Sequence, residues 1–272
     1  MLILTSKTPW RRRPSGPVEL DRSSPQASGL VLRARAESRD LVVSGAAPFV
    51  RSGTGTLTSQ ILDDNGVSWR PVDGGSNGGY YVASSVLGMP ATGYTLTAWI
   101  NITDDVYAAG CVIKIGDISA GYGMGLGNAT YTGGGGAAIN LIGLNENVAW
   151  LAPGAVVAGG GLHHIAMVGN VGGGGSLYVD GLLKGTHAST ANAPVNEITL
   201  LGNNNFTDRH TRGYAAYDIR AYATPLSGSE IWAHYDPSSR WTLDQPIVRR
   251  VYFDIGAGGS PSTFIPQVIM VL

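Results

Sequence analysis

From Tyr94 to Ile100 the chain alternates strictly, Leu96, Ala98 and Ile100 against Thr95, Thr97 and Trp99. A period of two sets one side of a strand on a core and the other away from it. Ser176–Gly181 repeats the pattern, Leu177 and Val179 against Tyr178 and Asp180, and turns at Asp180-Gly181. That dipeptide suits a type I′ hairpin turn with both central residues at positive φ, and Leu182 and Leu183 open the return strand. Further short β-forming runs cover 29–32, 40–43, 54–62, 79–83, 111–115, 121–125, 137–143, 149–151 and 162–168. A helical turn is predicted only at 227–234. Glycine clusters at 133–136, 159–161 and 172–175 fall between strands. None precedes Lys-Ser/Thr or opens a helix, so they read as hairpin loops and not as phosphate cradles.

Composition fits this all-β reading. The 272 residues include 40 glycines, only 14% are charged, and 43% are hydrophobic, enough for a large two-sheet core. A net charge of −1 argues against nucleic acid as a partner. Cys111 is the lone cysteine, which excludes an intrachain disulfide, and within Cys111–Ile115 it reads as a small buried strand residue. Met1–Leu4 is too short for a signal segment and its arginines follow it, and no apolar run approaches the ~20 residues that cross a bilayer. A soluble protein made in a cytoplasm, with no membrane partner, is the expectation.

The flanks differ from the middle. Residues 1–29 carry Pro9, Pro14, Pro17 and Pro25, spaced against both helix and internal strand, and set Lys7, Arg11, Arg12, Arg13 and Arg22 against Glu19 and Asp21 alone. Trp10 has nothing local to cover it. Residues 237–272 combine Arg240-Trp241 and Arg249-Arg250 with a glycine-serine stretch and the apolar run Phe264–Leu272. That run must be paired, either in the chain's own sheet or by strand addition to a neighbour. The expected layout is an extended arm at 1–29, a sandwich at 30–236 and a second arm at 237–272. Trp10, Arg11, Arg12, Arg13, Trp241, Arg249, Arg250 and Phe264 are the expected partner contacts.

The ordered elements Tyr94–Ile100, Leu162-His163-His164 to Val168, Leu177–Gly181, Ile198–Gly202, Ile219-Arg220-Ala221-Tyr222 and Leu226–Ile231 resemble the LamG-like, concanavalin A-type jelly roll. Leu162 stands where that family commonly has Trp, and Tyr217-Asp218 where an Asp-Glu pair is common; both are read as packing and hairpin-edge positions. Pro17–Pro25 leading to Gly29–Val31, and Tyr235-Asp-Pro, Arg240-Trp241 and Arg249–Tyr252, resemble tailed-bacteriophage virion proteins in which such a domain sits between arms.

Chemistry is sparse. The Glu-x-Asp-x-x-Glu strand of retaining glucanases, whose carboxylates stand about 5 Å apart, is absent. There is no Gly-x-Ser-x-Gly or His-Glu-x-x-His. Adjacent strand residues face opposite ways, so His163 and His164 do not chelate one ion; one packs inward and the other faces solvent. Asp63–Gly66 and Asp104-Asp105 offer hard oxygen ligands for calcium without completing a loop, and Asp-Asn-Gly is also ordinary hairpin chemistry. Asn203–Asp208 or Asn128–Tyr131 would furnish an aromatic sugar platform. No enzyme activity, cofactor or metal is expected. The resemblance implies a virion structural protein, a capsid decoration protein whose arms tie neighbouring subunits and the major capsid protein, as a homotrimer. The alternative is a carbohydrate-binding, receptor-recognition module of a tail fibre or head appendage that meets host glycan.

Overall fold

The computed structural model describes residues 18–37, 40–44, 50–52, 56–61, 67–72, 80–83, 88–102, 109–116, 121–128, 139–145, 148–156, 161–187, 198–201 and 214–246. In chain order the strands are β1 (Val18–Leu20), β2 (Leu30–Glu37), β3 (Asp40–Ser44), β4 (Val50–Ser52), β5 (Thr56–Ile61), β6 (Val67–Val72) and β7 (Tyr80–Ala83). Then come β8 (Tyr94–Ile102), β9 (Ala109–Gly116), β10 (Gly121–Asn128), β11 (Ile139–Asn145), β12 (Val148–Val156), β13 (Gly161–Gly169), β14 (Gly175–Val179) and β15 (Leu182–His187). After β16 (Ile198–Leu200) and β17 (Tyr214–Tyr222), helix α1 spans Gly228–Tyr235 and β18 spans Asp244–Pro246.

Two antiparallel sheets form the sandwich. One has seven strands in the order β12-β11-β10-β9-β16-β7-β4, and the other has nine, in the order β15-β14-β13-β8-β17-β2-β6-β5 with β3 also on β2. Their facing sides meet in one apolar core. Leu96, Ala98 and Ile100 of β8, Ile165 and Met167 of β13 and Ile219 of β17 pack there against Ile113, Ile115, Tyr122 and Met124 of the opposite sheet. Tyr94 and Tyr122 stack with ring centroids 3.5 Å apart, and Tyr122 donates to the Pro90 carbonyl at 2.8 Å. The alternation of β8 is therefore as expected on its core side. Its other side, Thr95, Thr97 and Trp99, is equally buried, because a second layer covers that face.

The cover comes from α1 and from both flanks. Ser227 caps the helix in a reciprocal capping box with Glu230, and Leu226 enters it with its amide bonded to Thr95 Oγ1 at 2.8 Å. Ile231 and Leu226 then bury against Ala166, Val168 and Tyr222. Val18–Leu20 and Asp244–Pro246, both within the expected arms, pair with each other as a two-stranded clasp, Val18 opposite Pro246. Residues 18–29 and 236–246 accordingly fold onto the nine-stranded sheet, stitched by Asp21 N to Leu243 O and Ala223 N to Gly29 O, each 2.8 Å. Two further strands, β4 and β6, were not predicted. Three residues, or six interrupted by Arg70 and Pro71, carry too little periodic signal.

The hairpin between β14 and β15 turns as predicted, with Asp180 at φ 52° and Gly181 at φ 75°. Tertiary packing constrains it further: a Cβ on Gly181 would lie 2.6 Å from Trp232 Cε3 of α1. Gly181→Val is expected to lower the thermal midpoint through both the left-handed backbone and that collision, by about 1 kcal/mol or more in stability. An unchanged melt by circular dichroism would contradict the turn and its contact with the helix.

Candidate functional site

Sheet register assembles the covered face of the nine-stranded sheet. Arg35, Asp218, Trp99 and His164 form one row across β2, β17, β8 and β13, and Arg33, Arg220, Thr97 and Ala166 form the next. A bulge between Ala216 and Asp218 turns Tyr217 to this side as well, against Trp99.

Asp218 is the centre of the first row. It accepts from Arg33 Nε at 3.0 Å and Nη2 at 2.9 Å, and from Arg220 Nη2 at 2.6 Å. Asp244 of β18 closes the network from above, accepting from Arg33 Nη1 and Arg35 Nη1 at 2.8 Å each. The side chains of Arg33, Asp218 and Arg220 are each only 2% exposed. Burial alone would push the Asp218 carboxyl up. The adjoining Arg220 and Arg33 charges override it and hold the group well below the usual carboxylate range. Gln26 ties the clasp to this hub: its Oε1 accepts from Arg220 Nη1 at 3.2 Å, while Nε2 donates to Ala233 O and Ser239 O at 3.0 and 2.9 Å.

Two imidazoles sit beside the hub, His164 from the sheet and His234 from α1, with ring centroids 6.0 Å apart. Neither Nδ1 has a hydrogen-bond partner among the described residues. Burial first, and then the Arg220 charge, lowers His164 to about 3 and holds His234 well below the usual histidine range. Arg240 lies between two indoles, 5.3 Å from the Trp99 centroid and 5.0 Å from that of Trp241.

The edge of this layer reaches solvent at α1. Trp232 is 44% exposed and meets Tyr235 edge-on at 5.5 Å. Below it, in the β14–β15 turn, Asp180 Oδ2 accepts from His163 Nδ1 at 2.8 Å and Oδ1 accepts from the His164 amide at 2.9 Å.

Of the expected partner contacts, Trp241 lies within the described residues. It is 3% exposed and packs within its own chain against Trp99 and Tyr217, because the segment carrying it folds back over the sheet. Trp10, Arg11, Arg12, Arg13, Arg249, Arg250 and Phe264 lie outside the described residues, as do Asp63–Gly66, Asp104-Asp105 and Asn203–Asp208. Asp218 also departs from its reading as an edge position, since it stands within β17 as the buried anion of the hub. His163 and His164 do face opposite ways. The buried His164 bonds through its own amide and not through its Nδ1. Leu162 packs against the Trp99 cluster. Sequence reasoning missed Gln26, Arg33, Asp244 and His234; the alternate polar positions of β2 and β17 were the only signal for the hub. Among the described residues no group of three His, Cys, Asp or Glu side chains is arranged to hold a metal, and no helix is long and apolar enough to cross a membrane.

Acid should loosen this layer. Unfolded imidazoles titrate near 6.5, whereas the folded ones resist protonation, so below that pH only the unfolded chain gains protons. Stability is then level above the unfolded histidine range and falls as pH drops from 6.5 towards 3, by about 1.4 kcal/mol per pH unit for each histidine. Asp218 acts the same way further down: its contribution is present above 3.8 and is lost as pH falls below it. Thermal melts between pH 8 and 4.5 are expected to drop steadily below 6.5, with a shallower slope in His234→Asn. A midpoint flat between pH 7 and 5 would contradict neutral burial of the pair.

Comparison with known proteins accords with this architecture. No curated protein matches the chain in sequence. Among solved structures, the binding domain of Paraclostridial Mosquitocidal Protein 1 aligns with a TM-score of 0.56 at 14% identity, over 76% of this chain and 52% of that one. The binding domain of botulinum neurotoxin DC, solved with rat synaptotagmin II, aligns with a TM-score of 0.56 at 14% identity over 78% and 52%. A structure of botulinum neurotoxin type C, a toxin whose cell entry depends on interaction with two ganglioside molecules, gives 0.53 at 15% over 77% and 51%. The chain thus spans about half of each of these solved chains, and the likeness is one of fold. Residues 43–232, most of the chain, match the Laminin_G_3 family, and the protein belongs to this family of the concanavalin A-like lectin/glucanases superfamily.

Proposed function

We propose that this protein is a non-enzymatic recognition module that binds carbohydrate. The observation that carries the reading is the fold: a concanavalin A-like sandwich whose similar solved structures include toxin binding domains, one in complex with SialylT, and a toxin whose cell entry depends on gangliosides. The non-catalytic part rests on the state of the acids. Asp218 and Asp244 are locked in arginine pairs, and a carboxyl held ionised by Arg220 and Arg33 makes a poor general acid. Host-surface glycan is the fitting ligand class for a module of a tail fibre or head appendage.

A second reading is a structural protein of a tailed-phage virion, a homotrimeric capsid decoration protein held to the major capsid protein. The clasp favours it. Val18 lies opposite Pro246, so the two flanks, with which such a protein would hold its neighbours, are paired with each other at one place on the domain.

Passing the purified protein over immobilised bacterial-surface, storage and sialylated glycans, with a parallel assay for reducing-end release, tests the first reading. Retention on at least one glycan without release is expected. No retention on any would overturn it, and turnover abolished by a single Asp→Ala or Glu→Ala change would make the protein an enzyme.

A further inference from the structure

We propose that Trp232 is the stacking platform of a saccharide site at the junction of α1 and the β14–β15 turn, with Asp180, whose carboxylate His163 holds in place, as its polar flank. The proposal rests on the carbohydrate reading above and locates it.

Helix α1 turns Ile231 and His234 into the sheet, and Trp232, next to Ile231, lies at the border with solvent. An indole 44% exposed on an eight-residue helix is an unusual use of the largest side chain. Its setting holds it in one pose. Gly181 approaches so closely that even a methyl group there would lie 2.6 Å from Cε3 and 3.3 Å from the Trp232 Cα. Tyr235 abuts the ring edge-on, and is itself stacked on Trp99 with centroids 6.0 Å apart. The rotamer freedom of the indole is therefore lost on folding, so a ligand meets a preorganised surface.

The turn that meets the ring at Gly181 also carries a polar group. Asp180 precedes Gly181 and stands 28% exposed, with His163 beside it 20% exposed. Each Asp180 oxygen takes one protein donor, His163 Nδ1 or the His164 amide, and a carboxylate oxygen has capacity for a second. The flank therefore offers rigid acceptors at the protein surface.

This combination selects the occupant. A pyranose ring presents an apolar C–H face to the indole and hydroxyl donors at its rim to the carboxylate. A protein partner would call for an apolar centre depleted of charge. Here Leu182 and Leu183 are both exposed at the adjoining turn, but the partly exposed Asp180 carboxylate precedes them in that turn.

The full chain, Trp232→Ala and Trp232→Phe should be titrated with chitotetraose, maltoheptaose, dextran and sialyllactose by calorimetry, with indole fluorescence read in parallel. The expected result is wild-type binding to one of these probes, weakened about tenfold or more in Trp232→Ala and largely retained in Trp232→Phe. Wild-type fluorescence should shift on binding, and the shift should vanish in Trp232→Phe although that variant still binds. Equal binding by all three proteins would overturn the platform and leave the carbohydrate reading standing. Absence of binding by the wild type to every probe would remove both. A concentration-dependent dimer lost in Trp232→Ala, without saccharide binding, would assign the indole to a second copy of the chain and overturn the proposal. Circular dichroism melts of the variants identify loss of fold, and the Trp232→Phe fluorescence then decides.

Discussion

Arg33 joins two carboxylates that lie far apart in sequence, Asp218 on a central strand and Asp244 in the clasp. Its guanidinium supplies Nε and Nη2 to the first and Nη1 to the second, which the single ammonium of a lysine would not reproduce. Charges buried this deeply are tolerated when they are paired and hydrogen-bonded to one another, because removing one partner strands another in a low dielectric. The cover over the nine-stranded sheet and the ions beneath it therefore require each other. Without the clasp the hub would be open to water, and without the hub the clasp would sit on a face whose central residues are charged.

The same constraint explains the rest of this face. Gln26 is buried where the N-terminal flank, α1 and the segment after it converge, and it serves a carbonyl on each side and an arginine below. His164 and His234 stay neutral because their burial, and after it the nearby Arg220 charge, opposes a further cation. At the margin of the layer these rigid parts leave one indole facing solvent above a turn fixed by Asp180. Recognition on this reading belongs to the edge of a stabilised cover, and the buried charges support it without meeting a ligand.

Much of the sandwich is legible in the chain. The period of two in Tyr94–Ile100, the Asp180-Gly181 turn and the Ser227–Glu230 box are local signals, set by pleat geometry, positive φ and helix-end amides respectively. The hub is not local. Arg33 and Arg35 alternate with core residues as surface positions of a strand do, and nothing near them indicates that a segment some two hundred residues later will cover them. The surroundings of Trp241 were hidden for the same reason: nothing local shows that the fold brings Trp99 and Arg240 against it. The exposed Trp232 was equally invisible, since Ile231 and Trp232 are adjacent apolar residues and only the docked helix shows which one faces out.

The interdependence of hub, clasp and sandwich is most directly tested by native-state hydrogen exchange. If the account holds, the amide of Asp21, bonded to Leu243, and that of Ala223, bonded to Gly29, will open with the same free energy and denaturant dependence as amides in the middle of β8 and β13. Exchange of the clasp amides at a clearly lower free energy, with the sheet still protected, would show a cover that detaches by itself and would contradict the account.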